Sequence, residues 1–244
     1  MALILSLETG TEVCSVGLAR DGQLLSLRES GDGRNHARLL GVYVQELLEE
    51  IGVKPDELDA VAVGRGPGSY TGLRVGVSMA KGLCYGLNIP LIAVNSLQAL
   101  AQVAREDFEA GILDVETLDR TVLCPMIDAR RMEVYTQQFD PALDPLSEVE
   151  ALILDENSFS GILADKRMLV FGDGAPKVKS VIRSANLTEV PVLPSARGMA
   201  PLAEKAFRQK DFVDTAYFEP YYLKDFVVIP SKKNYFGAPE NLEK

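Results

Sequence analysis

A carboxylate followed by small hydroxyl residues and a glycine stands near the start of the chain, in "SLETGTEVCS". Glu8 would end a strand, and Thr9 and Thr11 would flank a tight turn. The amides and hydroxyls of such a turn could face a phosphate, while the carboxylate could orient a hydrated magnesium ion. A plain β-hairpin, in which threonine and glycine satisfy the turn geometry, explains the same residues. Both interpretations stay open.

Two later stretches could complete a nucleotide cleft. In "DARRMEVY", Arg130 and Arg131 at a hairpin tip beside Asp128 could bind a phosphate or a carboxylate bidentately. A solvated charged turn is the alternative. In "GDGA", Gly172 and Gly174 lie at a strand-to-helix junction where an adenine or ribose could sit. The same glycines could simply turn a corner.

The glycine-rich stretch "GRGPGSYTGLRVG" fits neither standard phosphate loop, because it lacks both Gly-Lys-Ser/Thr and GxGxxG. In the helix that follows, Gly72, Gly76 and Ala80 recur every fourth residue and leave one face almost without side chains. Another helix could approach this face closely. The partner could be the helix at 36–51 or another protein. We favour intrachain packing together with an exposed partner face over a phosphate site.

Histidine and cysteine counts restrict metal chemistry. The only histidine is His36, so no HxxxH or HExxH zinc helix can form. Cys14, Cys84 and Cys124 are far apart among apolar residues, which offers neither a disulfide framework nor a CxxC clip. We therefore expect no metal site, and we expect His36 to be a structural hydrogen-bonding residue.

Charge limits the class of partner. The 244 residues include 25 basic and 35 acidic side chains, a formal net charge of -10, which opposes dominant binding to a phosphate backbone. If nucleic acid is involved, another protein should supply the basic surface. The N-terminal stretch "MALILSLETGTE" has no basic region, and Glu8 interrupts its apolar run, so we expect no export signal, no membrane span and a cytoplasmic location.

The elements that must position these residues follow from apolar spacing and turn signals. Strand patterns open the chain, and a helix is predicted from His36 to Ile51 with Gly52 as its C-cap. Next come a strand at 60–63, a helix at about 71–85, a strand at 90–94 and a helix with Ser96 as N-cap.

The pattern then repeats. "TVLCPMIDARRMEVYTQQFD" has the layout of "ALILSLETGTEVCSVGLARD", with Glu8 and Asp128 at equivalent places. We take the acidic stretch 106–119 as a linker between two copies of one α/β unit. The predicted domains are 1–105 and 120–225, followed by an extended tail at 226–244.

The quoted stretches together, with "RNHARLL", resemble the bacterial TsaB family, formerly called YeaZ, over about residues 1 to 225. "GPGSYTGLRVG" is the most specific part. The resemblance implies an α/β chain with the actin-like ATPase (ribonuclease H-like) fold in two duplicated α/β domains.

The resemblance also implies a function. TsaB proteins pair with TsaD, and with the ATPase TsaE, to make the threonylcarbamoyl modification on the adenosine next to the anticodon of ANN-decoding tRNAs. TsaD carries the metal and transfers the group, so the implied role is that of a required non-catalytic partner, with no catalytic residues. Implied with it are weak or absent ATP/ADP binding, only indirect contact with tRNA, and a homodimer when TsaD is absent.

The family's heterodimer is built from N-terminal-domain helices. Its interface maps here onto Leu40, Val44, Gly72, Leu73, Gly76, Val77 and Ala80. One departure concerns the first loop, where most members have Asp-Thr-Ser and this chain has Glu8-Thr9-Gly10. The longer carboxylate would displace a magnesium shell by about one methylene, which weakens the expectation of nucleotide binding.

Two enzyme alternatives remain. A small-molecule kinase of the same superfold would use Glu8 and Asp128 around magnesium ATP, but we find no additional catalytic carboxylate. A peptidase would need a nucleophile near His36, and no GxSxG elbow marks one.

Overall fold

The computed structural model describes residues 1–33 and 35–224, which form two five-stranded sheets with flanking helices. The strands are β1 Leu3–Glu8, β2 Cys14–Arg20, β3 Gln23–Ser30, β4 Ala60–Gly66, β5 Leu91–Asn95, β6 Thr121–Asp128, β7 Glu133–Thr136, β8 Glu150–Ile153, β9 Arg167–Phe171 and β10 Leu187–Glu189. The α-helices are α1 His36–Ile51, α2 Tyr70–Leu87, α3 Ser96–Glu109, α4 Ser160–Leu163, α5 Val178–Val181 and α6 Ala200–Gln209. Short 3-10 helices occupy Pro55–Glu57, Ala175–Lys177 and Ala196–Met199.

The two sheets have the same topology. The first has the order β3-β2-β1-β4-β5, and the second, read in the same direction, is β8-β7-β6-β9-β10. In each, the central strand is antiparallel to the next strand along the chain and parallel to the strand on its other side. The duplication predicted from the repeated strand-carboxylate-turn-strand pattern is therefore confirmed.

The side chains of β1 point alternately to the two faces of the first sheet, and each face is covered by an apolar layer. Leu5 and Leu7 face the cluster that contains the buried residues of α1 and α2. Ile4 points to the opposite face, where it packs with Ala203 of α6. Successive side chains of a strand point to opposite faces, so this sheet is covered on both sides.

The predicted linker begins inside a helix. Helix α3 continues to Glu109, and the side chains of Glu106 and Asp107 accept hydrogen bonds from Arg197 at 3.1 and 2.8 Å. Two of the acidic residues that suggested a linker are thus ion-paired to Arg197, which lies 91 positions after Glu106 and 90 after Asp107. The boundary at 105 needs correction to the end of α3.

The predicted second domain does not pack as one unit. Helix α3 contributes Leu97 and Leu100 to the core that holds Phe171 of the second sheet. In the opposite direction, α6 crosses to the first sheet. The two halves are therefore joined by exchanged helices and not by a loop alone.

Helix ends follow the sequence closely. Helix α1 has the predicted bounds, and Gly52 adopts the left-handed C-cap conformation with φ 72°. Helix α3 is capped by Asn95, whose side chain accepts from the amides of Leu97 and Gln98, and not by Ser96 as predicted. Among the described residues, no helix is both long and apolar enough to cross a bilayer. The predicted tail at 226–244 lies outside the described residues.

Candidate functional site

The Glu8 carboxyl group is buried, with 1% of the residue exposed. Its two oxygens accept hydrogen bonds from the Gly10 amide and the Ser96 hydroxyl, each at 2.8 Å. The Gly66 amide donates in turn to the Ser96 hydroxyl at 3.2 Å. Burial raises the pKa of Glu8 above its ordinary value. Glu8 thus ties the end of β1 to the end of β4 and the start of α3.

Gly64 makes room for this carboxylate. A Cβ atom on Gly64 would lie 2.3 Å from Glu8 Oε2, so no other residue fits there without displacing the acid. The magnesium interpretation, which the sequence left open beside a plain β-hairpin, needs the Glu8 carboxylate to face a cleft, whereas here it is held inside the protein. The placement of Glu8 in a possible nucleotide cleft is corrected accordingly.

The bare face of α2 packs against the turn after β1. The Thr9 hydroxyl donates to the Gly72 carbonyl at 2.8 Å. A Cβ on Gly72 would lie 2.1 Å from the Thr9 carbonyl oxygen, and one on Gly76 would lie 2.3 Å from Thr9 Oγ1. Ala80 and Thr11 are also buried. The predicted close approach within the chain exists, but the atoms nearest to Gly72 and Gly76 belong to this turn and not to the helix at 36–51.

The other predicted interface residues are buried as well. Leu40, Val44 and Val77 belong to the core beneath α1 and α2, and Leu73 is buried above Gly66. The apolar periodicity of a surface helix marks its core-facing side. These side chains are therefore not exposed to a partner on the surface of the chain, where α1 and α2 present their outer sides, which corrects the residue assignment made from the sequence.

A groove runs between the outer sides of α1 and α2. Its volume is about 680 Å³. Its lining residues are mostly small or apolar, with a single cation: Ala37, Leu40, Gly41, Tyr70, Thr71, Arg74, Val75, Ser78 and Met79. On α2 the lining positions from Thr71 follow i, i+3, i+4, i+7 and i+8, and Tyr70 precedes them, which gives one continuous helix face. Of the residues predicted for the interface, only Leu40 reaches this groove.

An aromatic stack forms the rim of the groove. The Tyr70 and Tyr222 rings lie 4.8 Å apart between centroids. Arg74 donates to the Tyr70 hydroxyl at 3.1 Å, and its guanidinium lies 5.4 Å from the centre of the same ring. Tyr70 is thus held on both sides, which gives the groove a defined wall.

Tyr222 belongs to a C-terminal strap, residues 213–224, that lies along the first domain. Lys81 of α2 donates to the carbonyl oxygens of Ala216 and Phe218 at 2.9 and 3.1 Å. The Tyr221 amide donates to the Arg65 carbonyl at 2.8 Å. The strap therefore contacts α2 from the middle of the helix, at Lys81, to its N-terminus, at Tyr70.

Asp128, in the second half of the predicted cleft, pairs within its own domain. Asp128 accepts from the Arg130 amide at 2.6 Å and forms an ion pair with Lys177 at 2.8 Å. The amide of Asp128 donates to Asp173 at 3.1 Å. Burial raises the pKa of Asp173, and the negative charge of Asp128 raises it further. Arg130 and Arg131 lie at the turn, as predicted.

The glycines of "GDGA" serve packing. Gly172 has φ 99°, and a Cβ there would lie 2.2 Å from the Met126 carbonyl oxygen. A Cβ on Gly174 would lie 2.9 Å from a Val134 methyl. Their bare α-carbons face strands β6 and β7, which favours the interpretation that they turn a corner over that of an adenine or ribose site. Within residues 1–33 and 35–224, no three His, Cys, Asp or Glu side chains are grouped to hold a metal ion.

A family model described as "TsaD: tRNA N6-adenosine threonylcarbamoyltransferase" matches residues 31–228. A Haemophilus influenzae protein named tRNA threonylcarbamoyladenosine biosynthesis protein TsaB is 32% identical over 235 residues, which are 92% of this chain and 94% of that protein. The chain belongs to the TsaB family. The Escherichia coli TsaB is 30% identical over 244 residues, covering 94% of this chain and 99% of the relative.

Solved structures agree with this assignment. YeaZ from Pseudomonas aeruginosa is 28% identical, with a TM-score of 0.74 over 91% of this chain and all of that one. A further Pseudomonas aeruginosa structure, described as similar to peptidase YEAZ, has a TM-score of 0.76 at 29% identity over 92% of this chain and all of that one. The TsaB-family chain thus has the actin-like, ribonuclease H-like fold that the sequence predicted.

Sequence reasoning missed most of the groove in this TsaB-family chain. The signal was present in part. Ala37 and Gly41 are small, exposed residues of α1, and Val75 and Met79 are apolar residues of α2 that line the groove and also pack against the core. Small and apolar residues on the outer side of two adjacent helices are typical of an interaction surface. The glycine run drew attention to the opposite side of α2.

Proposed function

We propose that this chain is the required non-catalytic partner of a TsaD-like protein in forming threonylcarbamoyladenosine next to the anticodon of ANN-decoding tRNAs. Family membership supports the pathway, since its curated TsaB relatives are named for threonylcarbamoyladenosine biosynthesis. The observation that supports the partner role is the groove between α1 and α2, which is lined mostly by small or apolar residues. Helix-in-groove binding needs an apolar cleft of this kind.

The state of the two cleft carboxylates supports the non-catalytic part of the proposal. A kinase of this fold would use both around magnesium ATP. Glu8 is instead buried and hydrogen-bonded to Gly10 and Ser96, and Asp128 is paired with Lys177. ATP or ADP therefore binds weakly or not at all to this chain, and the kinase alternative loses its metal ligands.

The remaining members of the complex follow from the same proposal. A TsaE-like ATPase supplies nucleotide hydrolysis, and a second copy of this chain occupies the groove when the TsaD-like protein is absent. Most tRNA contacts fall to the partners, because the chain carries a formal net charge of -10. We place the complex in the cytoplasm, a reducing compartment that suits three free buried cysteines.

Filling the groove tests the proposal. Gly41→Trp places an indole where the nearest atom to an added Cβ would be Met79 Cε at 3.9 Å, so the monomer has room to fold. Gly161→Trp is the matched control, since a Cβ at that exposed helical glycine in the second domain meets nothing within 4 Å. Binding to the TsaD-like protein of the same genome is measured by calorimetry and by size-exclusion chromatography with light scattering.

We expect Gly41→Trp to abolish the heterodimer and Gly161→Trp to preserve it, with unchanged circular dichroism for both. Full binding by the Gly41→Trp variant would move the interface away from α1 and α2. No binding by the unmodified chain would remove the partner role itself. ATP turnover by the isolated chain would restore the kinase alternative.

A further inference from the structure

The turn between β6 and β7 holds two consecutive arginines in a conformation that disfavours them. Arg130 and Arg131 have φ values of 69° and 49°. A positive φ is uncommon for residues other than glycine, asparagine and aspartate. A residue with a Cβ costs about 1 kcal/mol or more in this left-handed region. Backbone strain retained at such a turn is typical of functional sites.

The acids beside these arginines are already paired with other cations. Asp128 forms its ion pair with Lys177, which comes from the segment after β9. Glu133 forms its ion pair with Lys224, at the end of the C-terminal strap. Neither guanidinium makes a hydrogen bond or an ion pair with any described residue, although both belong to an acidic chain.

Backbone contacts hold the turn in place. The Arg130 amide donates to Asp128 at 2.6 Å, and the Ala129 amide donates to the Glu133 carbonyl at 3.1 Å. The Glu133 amide closes the turn on the Arg130 carbonyl at 3.2 Å. The protein thus presents two adjacent, exposed and uncompensated guanidinium groups on a fixed support.

We infer that the Arg130–Arg131 turn binds the phosphate backbone of RNA directly. Guanidinium groups match phosphate oxygens bidentately, and such contacts position a nucleic acid without reading its bases. The identification of the RNA as tRNA rests on the proposed function. The net charge of -10 leaves most of the affinity to the partners, so the turn supplies two phosphate contacts and not a complete binding surface.

The double variant Arg130→Asn/Arg131→Gly separates binding from folding. Asparagine and glycine tolerate a positive φ better than arginine does, so thermal stability should stay the same or rise. Fluorescence anisotropy with labelled tRNA is measured over a range of KCl concentrations, for the chain alone and for its complex with the TsaD-like protein. The affinity should fall, and the slope of log K against log salt should become shallower by about 1.4 to 1.8, because each phosphate contact contributes about 0.7 to 0.9.

The control Arg167→Gln/Arg183→Gln removes the same charge from two other exposed arginines of the second domain, neither of which is ion-paired to a described residue. Its salt slope should match that of the unmodified chain. An equal loss in both variants would show a general charge effect and overturn the inference. Unchanged tRNA binding by Arg130→Asn/Arg131→Gly would also overturn it.

Two further outcomes are decisive. If the turn variant binds tRNA normally on its own but no longer forms the heterodimer, the arginines contact an acidic protein surface, and the RNA inference fails. If the unmodified chain does not bind the TsaD-like protein, the proposed function fails. The titration of the chain alone at low salt then still decides whether the turn binds RNA.

Discussion

Gly76→Ala should destabilise the chain itself, because the new methyl group has no space. A Cβ at this position would lie 2.3 Å from Thr9 Oγ1 and 3.5 Å from two Thr9 carbons. Thr9 cannot move freely, since its hydroxyl donates to the Gly72 carbonyl at 2.8 Å. The substitution therefore forces α2 and the turn after β1 apart.

The magnitude follows from three contributions. Overpacking a tight contact costs about 1–3 kcal/mol. Loss of the Thr9 hydrogen bond costs about 1 kcal/mol. Alanine gains about 1 kcal/mol over glycine inside a helix. The free energy of unfolding should therefore fall by about 1–3 kcal/mol, which lowers the Tm of a chain of this size by about 2–12 °C.

The assay is a double-mutant cycle in urea and by thermal denaturation. Thr9→Ala removes the atom that Gly76→Ala meets, so the second substitution should cost much less in that background, with a coupling of about 1–2 kcal/mol. Gly82→Ala is the matched control on the same helix. A Cβ there meets nothing within 4 Å, so it should raise stability by up to about 1 kcal/mol.

The outcome that would refute this reasoning is an unchanged or higher Tm for Gly76→Ala together with loss of the heterodimer. That result would mean that the bare face of α2 is free to meet a partner, as the spacing of Gly72, Gly76 and Ala80 first suggested. An additive cycle with Thr9→Ala would show that Thr9 is not the residue that meets the new methyl group.

Two further predictions concern buried charge. Glu8→Gln keeps the shape of the side chain but cannot ionise. Burial raises the pKa of Glu8 in the folded chain above its ordinary value of 4.5. The free energy of unfolding of the wild type should therefore fall, relative to that of Glu8→Gln, as the pH rises from about 4.5 through the folded pKa. Parallel stability curves for the two proteins in urea titrations from pH 4 to 8 would contradict this. Arg197→Ala leaves Glu106 and Asp107 without their partner and should cost about 2 kcal/mol. Lys179→Ala, which removes an exposed ion pair, should change stability in urea by less than about 1 kcal/mol, and equal losses for the two variants would refute a special role of Arg197.

Local signals predicted the elements and their duplication well. Apolar spacing and a following glycine placed α1 at 36–51, and the repeated carboxylate and turn after β1 and β6 indicated two copies of one unit. These features depend on residues close in sequence, where helix and strand periods are directly visible.

The errors came from contacts between distant residues. The acidic stretch was assigned to a linker because Arg197, which pairs with Glu106 and Asp107, lies 90 positions further on. The bare face of α2 was assigned to a helix partner because no pattern in the sequence brings Thr9 to Gly76. Small residues show that something approaches closely, but they do not show what approaches.

Glu8 and Asp128, the two carboxylates that could have bound magnesium, have the same structural role in the two copies of the unit. Glu8 and Asp128 end the central strands of their sheets, and each accepts a hydrogen bond from the amide two residues later, that of Gly10 or Arg130. The same hydrogen bond, from a backbone amide to a carboxylate two residues earlier, therefore closes both turns. The Glu8 carboxylate also accepts a hydrogen bond from the Ser96 hydroxyl, and the Asp128 carboxylate also forms an ion pair with Lys177.

A carboxylate engaged in this way is a poor ligand for magnesium, because binding the ion would require breaking a hydrogen bond or an ion pair that the fold already uses. In the first copy, Thr9 is also buried against the glycines of α2, so the turn that could have faced a phosphate packs against this helix. What the first domain leaves available is the outer side of α1 and α2. The packing of Thr9 against the inner side of α2 thus fixes the position of the helix whose outer side lines the groove.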